Sequence, residues 1–331
     1  MSFLVVGGGS IGERHLRCAR KAGVTQLGLI EPKDDRRNDL TRKYDLTSCW
    51  SSLDAADLSR FSHSIVASPP RFHFDHTRRL AQSRLHVLCE KPLAASRQDL
   101  EKFMTLDPGC EPLIRIAYTR RSLPVFRTIH HRLQSGQMGD LKLFSITGGA
   151  HFPTARPDYL RIYWADPQQG GCSLDAISHY VDLAQWYMGS LEYAGGTAAN
   201  LETPEAAVDD SAMLLLRGSG NRQACIQTNQ FQPVNRSIFI WANRTECIQL
   251  EMPSMRLEIW DRRHPEGTCE TVSYDFDNAY VEQVRLFIEE TRGNGQGLTT
   301  IEEAAENLDI CLQLRETFHG QQRHKATHDA P

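Results

Sequence analysis

The sequence predicts an α/β chain in two parts. A doubly wound, parallel sheet comes first, followed by an α+β domain built on a large, mostly antiparallel open sheet. Three observations carry this. Strand-like and helix-like segments alternate through the first third. A glycine turn, Gly7-x-Gly9-x-x-Gly12, stands between the first strand and the first helix. From Leu191 to Tyr274, apolar and polar residues alternate at hairpin spacing with no helical segment between.

"FLVVGGGSIGERHLRCARKAG" reads as a buried strand, a glycine turn and a helix closed by Gly23 just beyond its end. "LGLIEP" is a second strand and "SHSIVASPP" a third, the latter followed by the helix-like "FHFDHTRRLAQ". "LHVLCEKP" is the next strand. "SRQDLEKFMTL" then opens a helix with Ser96 as its N-cap, and "PLIRIAYTRR" closes the series. Such alternation means parallel strands joined by right-handed crossovers, with ligands beyond the carboxyl ends of the strands. After Arg121 the pattern changes. "LPVFRTIHHRLQSG" is helical, "KLFSITGGAHF" is a strand, and "SLDAISHYVDLAQWYMG" is a helix capped by Ser173 and ended by Gly189. The strands "SAMLLLR", "RQACIQTNQF", "RSIFIWA", "ECIQLEM", "MRLEIWD" and "ETVSYDF" follow, then helices near Ala279–Arg292 and Thr300–His319. The expected domains are 1–120 and 121–320, the final helix free to pack back on the first, with 321–331 as a disordered tail.

Composition narrows the function class. The 331 residues are 40% hydrophobic and 24% charged, as in globular proteins that bury a core in each of two domains. A net charge of −4 without a basic block argues against nucleic acid as a partner. Nine scattered cysteines without a CxxC pair suggest neither a disulfide framework nor a metal site. No charged leader precedes the first strand, and no apolar run reaches the ~18 residues of a membrane span. The expectation is a cytosolic protein with reduced thiols and no membrane partner.

The polar clusters of the first third all fall at predicted strand ends. In the Gly7–Gly12 loop, Gly7 makes the turn, Gly9 admits a pyrophosphate, and Gly12 lets helix and strand pack, with Ser10 and Ile11 presenting the helix N-terminus. Glu31 lies nineteen residues past Gly12 at the end of the second strand. There a carboxylate accepts from ribose hydroxyls and repels a 2′-phosphate, which favours NAD over NADP. Lys33, Arg36 and Arg37 just downstream are either a solvated helix face or a phosphate-binding group. FAD uses the same fingerprint, but no second flavin motif follows. Glu90 and Lys91 close the strand "HVLCE" ahead of Pro92, which restricts Lys91 to an extended conformation. In the later helix, Asp175 and His179 are i,i+4 neighbours, either an ion pair on a solvent face or, after the Gly-rich "WADPQQGGC", part of a site.

Taken together, Gly7-x-Gly9-x-x-Gly12, "EKP" at Glu90–Pro92 and "GG-x3-D-x3-H-x2-D" at Gly170–Asp182 resemble the Gfo/Idh/MocA oxidoreductases, which include glucose–fructose oxidoreductase and inositol dehydrogenases. The resemblance spans almost the whole chain. It implies that Lys91 lies beside the nicotinamide and substrate, and that Asp175 and His179 face it from the second domain. Through "ASPP-x2-H" it places Ser68, Pro69 and His73 on the cofactor, together with Glu90, and through "AYTRR-x2-P" it places Tyr118 and Arg121 there. Trp164 resembles an aromatic that some members set near substrate. His151, Arg156, Asp158 and Tyr159 fall in the loop expected to select it. Cys172 and Ile177 replace two usual glycines, which implies a tighter pocket. The implied activity is NAD-dependent hydride transfer at a hydroxyl or carbonyl carbon of a sugar, cyclitol or nucleotide sugar, in a homodimer or homotetramer. Two other readings stay open: a glycosidase that retains NAD and acts by transient oxidation, and a non-catalytic ligand sensor on the same fold.

Overall fold

The computed structural model describes residues 1–46, 48–106, 113–273 and 275–328, of which 321–328 are described by their backbone alone. The chain divides into two compact units, Met1–Pro124 with Asp275–Ala305, and Val125–Tyr274 with Glu306–Pro331.

The first unit holds six parallel strands, β1 (Ser2–Val6), β2 (Gln26–Ile30), β3 (Ser48–Trp50), β4 (His63–Val66), β5 (His86–Glu90) and β6 (Ile114–Ala117), in the order β3-β2-β1-β4-β5-β6. This is the Rossmann order, and its direction reverses between β1 and β4, where such sheets bind ligands. Register sets the strand ends level. Val6 pairs with both Ile30 and Val66, and Val66 pairs with Cys89. Gly7, Glu31, Ala67 and Lys91 therefore leave the sheet along one edge. The helices α1 (Ser10–Lys21), α2 (Asp34–Tyr44), α3 (His73–Gln82) and α4 (Arg97–Met104) connect the strands. Ser96 caps α4 as expected, accepting the Asp99 N–H. The three-residue β3 is too short to leave a periodic signal and was missed by the sequence pattern.

The second unit is an eight-stranded sheet. Its strands are β7 (Leu143–His151), β8 (Leu191–Ala199), β9 (Ser211–Gly218), β10 (Arg222–Asn229), β11 (Phe231–Ala242), β12 (Glu246–Met252), β13 (Arg256–Asp261) and β14 (Thr268–Thr271). They run in the order β14-β13-β12-β11-β7-β10-β9-β8, antiparallel except for the β7–β10 pair. One face packs against α5 (Pro124–Gln134) and, beyond the one-turn α6 (Phe152–Ala155), α7 (Cys172–Met188), with Phe126 on Phe239 and Tyr187 on Phe144 and Trp241. Strand alternation sends Leu143, Met213 and Leu215 to the opposite face, where they are exposed.

Two helices close the chain, α8 (Phe276–Thr291) and α9 (Ile301–His328). The expected boundary at 120 falls at Pro124, but the second unit does not run unbroken to 320. Val284, Phe287 and Ile288 of α8 belong to the core that also contains Phe3, Val5 and Ile65, so burial of this apolar face returns 275–305 to the first unit. Helix α9 also runs through His328, past the point where a disordered tail was expected; 329–331 lie outside the described residues. No described helix is long and apolar enough to cross a membrane.

Candidate functional site

The glycine loop has the shape its spacing implies. Gly7 takes φ 103°, and a Cβ there would stand 2.7 Å from the Ala67 carbonyl oxygen; one on Gly12 would stand 1.8 Å from the Gly7 oxygen. Both are backbone collisions, so the turn and the helix–strand approach require glycine. A Cβ on Gly9, by contrast, would meet no atom beyond its chain neighbours within 4 Å among the described residues, and the N-cap Gly9 supplies no side-chain cap to α1. That open cradle with uncapped helix N–H groups is what a dinucleotide diphosphate needs, and the residues present fit it. Ser10 and Ile11 form its first turn. Glu31 is buried at the end of β2, where Oε2 accepts the Gly8 N–H at 2.7 Å and Oε1 accepts the Lys33 N–H at 3.0 Å. Arg36, read from sequence as solvated or free for phosphate, instead donates to the Gly8 carbonyl at 2.7 Å.

Two further loops leave the same edge. His73 is buried, with Nε2 2.8 Å from the Ser68 carbonyl and Nδ1 2.9 Å from the Pro92 carbonyl. One ring thus ties the Ser68–Pro69 loop to the Lys91 loop. Carbonyls only accept, so both contacts are served together by the imidazolium, whereas burial pulls the ring's pKa below its ordinary value. Glu90 Oε2 accepts the Lys91 N–H at 3.2 Å, and His15 Nε2 of α1 donates to Glu90 Oε1 at 2.7 Å. His15 is fully buried, its ring edge-on to Tyr280 with centroids 5.2 Å apart. The backbone of Lys91 is therefore held through Glu90 from the dinucleotide helix. Tyr118 and Arg121 follow β6 and are both buried; the Arg121 guanidinium pairs with Glu303 at 3.2 Å.

In the second unit, the chain enters α7 through Gly170 and Gly171. A Cβ on Gly170 would stand 1.9 Å from the Trp164 oxygen, and Gly171, at φ 90°, is the N-cap residue. The cap expected at Ser173 is corrected: Ser173 lies inside the helix, and the capping carboxylate is Asp209. Asp209 accepts the Ser173 N–H at 2.7 Å and its hydroxyl at 3.0 Å. Burial pushes the Asp209 carboxyl up to about 6, against the Ser173 bonds, which lower it. One turn into α7, Asp175 is held at both oxygens. Tyr163 donates its hydroxyl to Oδ1 at 2.9 Å, and Gln230 donates Nε2–H to Oδ2 at 3.2 Å. His179 follows one turn later on the same side of α7.

Trp164 is only 1% exposed, packed with Ala206 and Val208 and against the Phe152 and Tyr159 rings. Its indole N–H donates to Gln230 Oε1 at 2.8 Å, and Gln230 in turn donates to Asp175. In the nearby loop, His151 accepts the Thr154 N–H at 3.3 Å and Tyr159 bonds Glu205. Sequence reasoning missed His15, Tyr163, Asp209 and Gln230. Tyr163 stands beside a flagged tryptophan, whereas Gln230 lies 55 residues from its partner with no spacing to mark it.

Residues 1–107 match the family described as "Oxidoreductase family, NAD-binding Rossmann fold", and residues 126–248 match "GFO/IDH/MocA C-terminal domain". The chain is 20% identical over 303 residues to myo-inositol 2-dehydrogenase of Thermotoga maritima, covering 88% of each. It is 23% identical over 186 residues to the rhizopine catabolism protein MocA of Rhizobium meliloti, spanning 56% of each, and several other curated relatives are likewise matched over about half their length. Among solved structures, levoglucosan dehydrogenase in complex with NADH superposes with a TM-score of 0.84 at 15% identity, covering 96% of both chains. UDP-N-acetylglucosamine 3-dehydrogenase of Acidithiobacillus ferrooxidans does so at 0.78 and 16%, covering 97% of this chain and 98% of that one. At these identities the structural likeness speaks for the fold.

Proposed function

The chain belongs to the Gfo/Idh/MocA family of oxidoreductases with an NAD-binding Rossmann domain, and from that premise we propose that it oxidises one hydroxyl of a sugar, cyclitol or nucleotide sugar, or reduces the corresponding carbonyl. The observation that carries this reading is the Asp175 carboxylate, held at both oxygens one turn from His179. A solvent-face ion pair needs no such support. NAD, when bound, supplies the hydride acceptor or donor, with its diphosphate at the Gly9 cradle and its adenosine ribose at Glu31. His179 takes the hydroxyl proton, and the fixed charge of Asp175 stabilises the imidazolium that results. Lys91 stabilises negative charge on the reacting oxygen, its backbone fixed by Glu90 and His15. The same reading has the chain assemble as a homodimer or homotetramer through the sheet face that carries Leu143, Met213 and Leu215.

A panel of aldoses, polyols, cyclitols and nucleotide sugars with NAD, followed by NADH absorbance, tests the proposal. One class is expected to turn over, and that turnover is lost in His179→Ala while NADH binding persists. Release of free sugar from a glycoside without net NADH would point instead to transient oxidation. No reaction with any class, in a protein that binds NADH, would count against hydride transfer to sugars.

A further inference from the structure

We infer that Glu13 is a specificity-determining residue for the cofactor: it holds Arg36 on the glycine loop and so withdraws the guanidinium that would bind a 2′-phosphate. The inference rests on the NAD reading above and deepens it. Glu31 accounts for repulsion of the phosphate, but repulsion is half of a specificity device; the other half is the absence of a group to attract it. Arg36 stands in the first turn of α2, five residues past Glu31, and looks from sequence like such a group.

The structure gives it other work. Arg36 Nε donates to the Gly8 carbonyl at 2.7 Å, Nη2 to Glu13 Oε2 at 2.5 Å, and Nη1 to Asp39 Oδ2 at 3.2 Å. The guanidinium is planar and its donors are fixed in direction, so these three bonds set its orientation. Gly8 is gripped from both sides, its N–H by Glu31 and its carbonyl by Arg36. Glu13 is itself well anchored. Lys43 Nζ donates to its Oε1 at 2.6 Å and the Tyr44 hydroxyl at 3.1 Å. These partners, Lys43 foremost, bring its carboxyl down to about 2 against the opposing effect of burial, so it is ionised at every pH of interest. An ionised, charge-assisted partner is about twice as strong as a neutral one. Removing Glu31 alone therefore leaves Arg36 where it is.

The test is fluorescence titration of the full chain with NADH and with NADPH. Wild type is expected to bind NADH more tightly. Glu31→Ser should raise NADPH affinity by only about threefold, through lost repulsion, whereas Glu31→Ser with Glu13→Ala should add about tenfold more, roughly 1.4 kcal/mol. Placing Arg36→Ala on that double variant should cancel the added gain. Lys43→Ala, which leaves the Glu13–Arg36 contact in place, should not reproduce it, and this separates release of Arg36 from general loosening between α1 and α2. A double variant no better than Glu31→Ser overturns the inference. So does a Glu31→Ser variant whose NADPH affinity falls when Arg36→Ala is added, since Arg36 would then reach the phosphate despite Glu13; this comparison stands even where Glu13→Ala fails to fold. Wild type that binds NADPH as tightly as NADH overturns the NAD reading itself, a distinct result.

Discussion

The two units position their functional side chains by different means. In the first, the groups assigned to the cofactor and Lys91 lie within a residue or a short loop of a strand end, and parallel register brings those ends level. In the second, Asp175 stands one turn into α7 and is held by side chains from elsewhere, Tyr163 from the preceding turn and Gln230 from 55 residues on, while Asp209 caps the helix through Ser173. A sheet edge sets its residues level by strand pairing, with His73 and the His15–Glu90 contact tying the loops beyond it. An aimed carboxylate needs each of its donors in place.

The largest expected effect tests the strand-end arrangement. Lys91→Ala removes a half-buried side chain at the end of β5 and disturbs little packing. Turnover should fall by roughly 10²–10⁴-fold, the range for a positioned acid–base group. NADH affinity, resting on the glycine loop and Glu31, should change much less. Single-turnover hydride transfer and NADH titration separate the two, and near-normal turnover would reduce "CEKP" to charges at a strand terminus.

Next comes the aimed pair. If Asp175 and His179 act as one unit, Asp175→Asn with His179→Ala should be little worse than the poorer single variant, because such effects are not additive. Gln230→Leu should mimic Asp175→Asn in part, lowering kcat about tenfold with KM little changed. Strictly additive losses would return the pair to an ion pair on a helix face.

This difference also explains what could be read from sequence. The Rossmann half was legible because its signals are local: glycine spacing, strand-end charges and helix caps such as Ser96. The family pattern marked Asp175 and His179, but not what aims them, since Gln230 and Asp209 owe their roles to pairing across a long separation that no short window contains. Ser173 illustrates the limit. A serine before an apolar run reads as an N-cap, yet the loop glycine takes that place and Asp209 binds Ser173 from 36 residues on. Helix α8 was recognised as a helix but assigned to the wrong unit, because periodicity shows an apolar face and not the core that covers it.

The sheet of the second unit offers a smaller, reversible test. Leu143, Met213 and Leu215 are 39%, 48% and 53% exposed on the face opposite α5 and α7. An assembly interface, as proposed above, would cover these exposed apolar groups. Light scattering should find a dimer or tetramer at micromolar concentration, and Leu215→Lys should shift it toward monomer without loss of NADH binding. A monomeric wild type would remove assembly from the proposal.

The smallest effect sets the units against each other through pH. In the first unit, burial, with His86 adding, holds the His63 imidazole down at about 4 against an ordinary 6.5. Folding resists its protonation, so the stability it contributes is intact above about pH 6.5 and is lost as pH falls toward 4. In the second unit, Asp209 is raised to about 6 from 3.8, so folding favours its protonated form. Its contribution is full below 3.8 and is lost as pH rises through 6. Between pH 4 and 6.5 the two therefore oppose one another, each by at most roughly 3–3.5 kcal/mol. Melting curves should show this when one side is silenced. His63→Gln should leave a protein whose melting temperature falls less steeply than wild type on acidification from pH 6.5 to 4, and Asp209→Asn one whose melting temperature falls more steeply. If both variants kept the wild-type slope, neither group would titrate with folding, and the pH response of the chain would lie in other groups.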